Sequence, residues 1–297
     1  AYYAPLRGRK SSSAPAASTA PAPTLADVSY GPHSRNVLDF WHAPAADSGQ
    51  PAPVVVYIHG GGFIGGDKSS IRRGGAIQQC LDAGVSFAAI NYRYLAPGAP
   101  IQDVLRDCGR AIQFLRSHAA DWHIDKTRIA SHGDSAGAGA SLWLAFHADL
   151  ADPQSPDPIL RESSHLVCVG ANQPQFSYDM TRWFDEFGKS VTQRLGATYT
   201  MRVLYGLAEE DALLGDEGKK IRADCDMLGL LAKGAPSVFL SVNLPAGDIV
   251  NTNQLLHHPR HAQLLYERCR ELGVSVVASI PAFRIAPPPG GPQSWRD

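Results

Sequence analysis

Residues 127–150 restrict the fold more than any other stretch. Thr127–His132 (TRIASH) reads as a short strand that passes without a break into Gly133-Asp134-Ser135-Ala136-Gly137 and then into a helix through Leu150. A chain that leaves a strand and enters a helix within so few residues must turn sharply, which forces Ser135 into a strained backbone conformation. Glycines on both sides remove Cβ atoms that would clash at the corner. Such corners belong to sheets whose strands alternate with covering helices.

The rest of the chain keeps that alternation. Val37–Trp41, Pro53–His59, Val85–Tyr92, Leu166–Ala171, Ser237–Val242 and Val274–Ile280 are short runs rich in β-branched and aromatic residues, as buried strands require. Ser69–Ala83 reads as a helix stopped by Gly84, and His261–Leu272 as another. Asp103–Trp122 reads as an amphipathic helix with Val104, Cys108, Ala111, Ile112 and Leu115 on one face. The order implies an α/β protein with a mostly parallel central sheet flanked by helices. Residues 177–235 break the rhythm with helical character and Trp183, Phe184, Phe187, Tyr199 and Tyr205; they read either as a lid insertion or as ordinary outer helices. Residues 1–26, with the Ala/Pro/Ser run Ser11–Thr24, read as a disordered tail or linker, 27–285 as the folded domain, and 286–297 as a Pro/Gly-rich tail.

Composition narrows the function classes. A chain of 297 residues with 44% hydrophobic and 19% charged residues buries a sizeable core and is not intrinsically disordered. With 27 Lys+Arg against 28 Asp+Glu, the net charge of −1 argues against nucleic-acid binding or an anionic-membrane anchor. No uncharged stretch is long enough for a transmembrane segment. Five cysteines without CxxC or CxxH spacing argue against a zinc site. The first residue is Ala1 rather than Met, so a soluble secreted or periplasmic protein with its signal peptide removed is one reading, and the compartment stays open.

Two glycine-framed segments carry the chemistry. Gly133–Gly137 fits G-x-S-x-G, and the helix that follows would offer its positive dipole end and the Ala136 N–H to a developing oxyanion. His59-Gly60-Gly61-Gly62-Phe63 follows directly on a buried strand, so bare backbone N–H groups can approach a ligand closely. One such donor is typically worth about 3–4 kcal/mol of transition-state stabilisation.

Together with YGPHSRNVLDFW, HGGGFIGGDKS, NYRYLAP, the segment Asp103–Ala130 and GDSAGAG, these segments make the chain resemble the α/β-hydrolase superfamily over about residues 30–273. Within it, the chain resembles HGGG-type esterases and lipases, the hormone-sensitive-lipase-like and carboxylesterase relatives. The resemblance implies a sheet of about eight strands, Ser135 as nucleophile, and an oxyanion hole from Gly61, Gly62 and Ala136. It also implies an acid after a late strand and a base histidine after the last one.

Here the chain departs from the family pattern. After the last expected strand it reads PAFRIAPPPGGPQSWRD, without a histidine. His257 and His258 lie earlier, in LLHHPRH, and Pro259 at a helix N1 position would make His258 the N-cap at the catalytic edge. His258 is therefore preferred over His257 as base, with His261 one turn on as a brace. Asp248, in the loop after SVFLSV, is the expected acid, with Asp226 and Asp211 as weaker rivals. The amides of Asn172, Gln173 and Gln175 follow a strand at the same edge.

The leading expectation is a serine hydrolase that cleaves small carboxylic esters of short acyl chains through an acyl-enzyme on Ser135, with no metal or organic cofactor. The alternative is a hydrolase-fold ligand-binding protein with impaired catalysis, motivated by the missing C-terminal histidine. A peptidase on the same scaffold is disfavoured by the HGGG segment. Oligomeric state, a homodimer included, stays open.

Overall fold

The computed structural model describes residues 20–44, 50–96, 98–195, 203–207, 212 and 214–296, and its strands form one eight-stranded sheet. The strands are β1 Leu25–Ser29, β2 Val37–Trp41, β3 Ala52–Ile58, β4 Ser86–Ile90, β5 Ile124–Asp134, β6 Cys168–Asn172, β7 Ser237–Ser241 and β8 Val276–Ser279. Their order is β1-β2-β4-β3-β5-β6-β7-β8; β2 runs antiparallel to both neighbours and every other pairing is parallel. The helices are α1 Ala76–Asp82, α2 Ile101–Ser117, α3 Ala136–Phe146, α4 Met180–Phe187, α5 Lys189–Arg194, α6 Asp216–Asp224, α7 Met227–Leu230, α8 Thr252–Leu256 and α9 Arg260–Leu272.

Side chains alternate across the pleat, so each strand feeds two cores. Val54, Val56 and Ile58 of β3, with Ala88 and Ile90 of β4, join the apolar faces of α2, α3 and α9. Tyr57, Phe87 and Ala89 point to the other face, against Ile77 and Cys80 of α1. Each fully buried Val, Leu, Ile or Phe contributes about 1.5–3 kcal/mol, so the first and larger core dominates. Trp183, Tyr205, Met227 and Leu231, from the segment between β6 and β7, are buried in that same core. Tyr199 and Asp211 lie outside the described residues.

Several local expectations change. The helix read over Ser69–Ala83 is a 3-10 segment, Lys68–Arg73, followed by α1; Gly74 and Gly75 separate them, and Gly75 takes the left-handed φ of 70° that breaks helical continuity. Helix α2 ends at Ser117 rather than Trp122, because the chain turns through His118 and reaches β5 with His123 at φ 48°. Strand β1 starts at Leu25, inside the stretch read as tail. The N-cap of α9 is Pro259, so His258 lies one residue before it.

The parallel strands β3, β5, β6, β7 and β8 end in register, with Ile58 beside Gly133, Asp134 beside Asn172, and Asn172 beside Ser241. That shared edge gathers the HGGG loop, the Gly133–Gly137 corner and the loop after β7. Among the described residues, no helix is long and apolar enough to cross a membrane.

Candidate active site

Ser135 closes β5 and opens α3 with φ 53° and ψ −118°, a conformation that L-residues rarely adopt. Its N–H donates to the Asn172 carbonyl at 2.9 Å, and its own carbonyl accepts from Gly139 N–H at 3.0 Å. The corner is tight: a Cβ on Gly137 would lie 1.9 Å from the Ile58 carbonyl oxygen of β3. Beneath it runs a polar chain. Asp134 accepts from Tyr57 Oη at 3.1 Å and from Asn172 Nδ2 at 2.8 Å, and Asn172 Oδ1 accepts from Ser241 Oγ at 3.0 Å.

The HGGG loop leans on this corner. A Cβ on Gly60 would stand 2.8 Å from the Asp134 carbonyl oxygen and 3.4 Å from the Ser135 Cβ. His59 is structural, its ring stacked on Tyr92 at 4.2 Å and its Nδ1 2.7 Å from the Gly60 carbonyl. Farther along, Asp67 accepts from Asn91 Nδ2 at 2.8 Å, and Lys68 pairs with Asp39 at 2.6 Å and Asp27 at 2.8 Å. These contacts hold the loop's far end. Among the described residues, the N–H groups of Gly61, Gly62 and Ala136 go to no protein acceptor.

Of the two adjacent histidines, His257 reaches the serine. Its Nε2 lies 2.7 Å from Ser135 Oγ, and its Nδ1 lies 3.0 Å from Asn253 Oδ1. With Nδ1–H donating to the amide oxygen, Nε2 is the acceptor that faces the hydroxyl. Burial holds the His257 pKa below its ordinary value, with a hydrogen bond to the backbone of Asn253 working the other way.

Helix α8, which presents His257 at its C-terminal end, is pinned from two sides. Buried Gln175 donates Nε2–H to the Leu256 carbonyl at 2.7 Å, and His261 Nε2 lies 2.9 Å from the Leu255 carbonyl. His261 is fully buried, and burial lowers its pKa to about 3, so it stays neutral and donates.

The chain is similar to known proteins in sequence and in fold. Residues 38–169 match the BD-FAE family model. The chain is 34% identical to the esterase LipI of Mycobacterium tuberculosis over 38% of its own length and 35% of the relative's. It is 35% identical to the probable carboxylic ester hydrolase LipM of the same organism, over 54% of this chain and 36% of that one. It spans about a third of the length of these relatives. Among solved structures, a truncated carbohydrate esterase from gut microbiota superposes with a TM-score of 0.64 at 18% identity, covering 89% of this chain and 88% of that one. The chain has the α/β-hydrolase fold.

Within this α/β-hydrolase fold, two of the expected site residues make no contact with the serine. Asp248 is exposed, and it lines a surface pocket of about 460 Å³ together with His258, Glu186, Arg260 and Phe283. His258 accepts from Arg260 N–H at 3.2 Å through Nδ1 and packs its ring against Phe187, so it acts as a side-chain cap for α9. Asp226 is occupied by Arg182 at 2.7 Å. Sequence reasoning missed Asn253. A usable signal was present: Asn251-Thr252-Asn253-Gln254 is close to a capping box, and a helix begun there puts Asn253 and His257 four residues apart on one face. Among the described residues, no group of three or more His, Cys, Asp or Glu side chains could hold a metal ion.

Proposed function

We propose that this α/β-hydrolase cleaves carboxylic esters through an acyl-enzyme on Ser135, with His257 as its general base. One observation carries the reading: a strained elbow serine lies 2.7 Å from an imidazole nitrogen, the arrangement in which a base takes the hydroxyl proton. In the first half-reaction, Ser135 Oγ attacks the ester carbonyl carbon while His257 Nε2 takes the hydroxyl proton. The N–H groups of Gly61, Gly62 and Ala136 then hold the oxyanion. Collapse of the tetrahedral intermediate breaks the bond to the alkoxy oxygen, and His257 returns the proton to the departing alcohol. Water, deprotonated by His257, repeats the sequence on the acyl-enzyme and releases the acid and free Ser135.

The esterase names of the relatives support the ester bond as the target. The acyl group is short, and the likeness to a carbohydrate esterase supports an acetyl ester of a carbohydrate as the substrate class. Turnover of p-nitrophenyl esters from acetate to octanoate, with fluorophosphonate labelling mapped by mass spectrometry, tests both statements. Labelling at Ser135 and a preference for acetate support them; an unlabelled Ser135 sinks the mechanism. A second reading, a binding protein with weak catalysis, draws on the amide that faces His257 where the family pattern has a carboxylate.

A further inference from the structure

We propose that Asn253 is the positioning residue for His257, so that the catalytic set is Ser135, His257 and a neutral amide with no carboxylate. The inference rests on the ester-hydrolase reading above. Asn253 Oδ1 lies 3.0 Å from His257 Nδ1, and the two residues share one helical segment, with His257 N–H also donating to the Asn253 carbonyl at 3.1 Å. The amide of Asn253 is not spent on capping. That task falls to Asn251, whose Oδ1 accepts from Gln254 N–H at 2.9 Å, and to Gln254, whose Oε1 accepts from Val250 N–H at 2.9 Å.

No acid competes for the position. Among the described residues, no carboxylate forms an ion pair with His257, and Asp248 and Glu186 line the separate pocket beside His258. The ring meets the Ser135 hydroxyl at the start of α3, and the titratable groups that bear on it, His258 and His261 on α9, are not anionic.

An amide oxygen can do only half of what a carboxylate does. Accepting the Nδ1 proton fixes the tautomer that leaves Nε2 free for Ser135. It offers little to the imidazolium formed when the serine attacks, because it carries no full charge. An amide can also present its NH2 to Nδ1, which selects the opposite tautomer. In Ser-His-Asp enzymes, exchanging the acid for an amide costs about 10⁴-fold in kcat for that reason. One feature offsets part of the loss here: the amide lies on α8 and the ring at its C-cap, so local backbone geometry sets their separation.

The test uses the full chain, p-nitrophenyl acetate and two readouts: the pH profile of kcat/KM and the NMR titration of the His257 ring. Wild type, Asn253→Asp, Asn253→Ala and Ser135→Ala are compared. Asn253→Asp should move the acidic limb and the ring titration upward together by about one pH unit or more, since a carboxylate in contact raises a histidine pKa. It should also raise kcat by about tenfold or more at alkaline pH. Asn253→Ala should lower kcat with KM little changed, because orientation is lost rather than binding. If limb and ring titration stay in place in Asn253→Asp while Ser135→Ala abolishes turnover, Asn253 does not position the base and the hydrolase reading survives. If Ser135→Ala turns over ester as fast as wild type, both fall.

Discussion

Gln175 donates its side-chain amide to the carbonyl of Leu256 at 2.7 Å, which anchors the residue immediately before His257. The bond crosses from the segment after β6 to the C-terminal end of α8. Replacing Gln175 by Ala frees that end. A displacement of about 1 Å at the reacting groups costs on the order of 10²-fold in rate, whereas losing one buried hydrogen bond costs about 1 kcal/mol of stability. Gln175→Ala is therefore expected to lose far more kcat than its small fall in melting temperature suggests. Equal kcat in variant and wild type would show that α8 needs no such anchor.

Ser135 stores strain that glycine would relieve. Its φ of 53° and ψ of −118° cost about 1–3 kcal/mol in a residue with a Cβ, against about 0.5–1 kcal/mol of extra chain entropy for glycine. Ser135→Gly should therefore unfold at a higher urea midpoint than wild type, by about 1 kcal/mol, and lose ester turnover by about 10⁴-fold or more. Ser135→Ala should be equally inactive without the gain in stability. A Ser135→Gly protein no more stable than Ser135→Ala contradicts the strain argument.

Gly137 tests how closely the elbow is packed on the neighbouring strand. A methyl group there would sit 1.9 Å from the Ile58 carbonyl oxygen, so α3 or β3 must shift. Gly137→Ala is expected to destabilise the fold by about 3 kcal/mol and to depress turnover, both measurable in one preparation by thermal unfolding and p-nitrophenyl acetate hydrolysis. Wild-type stability in the variant would mean that the contact is looser than described.

Acid sensitivity follows from buried histidines. Burial lowers the pKa of His261 to about 3 and that of His132 to about 4, against about 6.5 in the unfolded chain. Between those values the unfolded chain binds protons that the folded protein refuses, so stability is full above about pH 6.5 and falls as the pH drops toward 4. His147 acts in the opposite sense: its hydrogen bond to Asp224 raises its pKa, and the stability it adds is complete below about pH 6.5. Two deeply buried rings outweigh one half-buried pair. The urea midpoint should therefore be lower at pH 5 than at pH 7.5, and equal midpoints would refute this balance.

The sheet and the elbow were legible because each rests on a local signal that tertiary contacts reinforce. Val54, Val56 and Ile58 alternate with Val55 and Tyr57 in a run too β-branched for a helix, and Gly133 and Gly137 frame a serine at a strand end. Strand β1 and helix α8 are harder to read. Strand β1 is half-exposed and adjoins an Ala/Pro-rich stretch, so alternation has little length in which to appear. Helix α8 spans little more than one turn, too short for hydrophobic periodicity. Preference for His258 over His257 came from placing Pro259 at N1; with Pro259 as the N-cap, His258 turns to cap α9 and His257 faces the serine. Asn253 is not legible as a partner from the sequence because its amide does not titrate and so carries no acid–base signature.

Helix α8 and its C-cap carry the proposed base, His257, and its partner Asn253 on a single short piece of backbone. In a triad assembled from separate loops, orientation of the ring and its distance from the nucleophile vary independently. Here the first is built into the helix, and only the second depends on the rest of the molecule. The proton-transfer geometry of the proposed mechanism reduces to one coordinate, the gap between α8 and the elbow. Gln175 and His261 are the two clamps that set it.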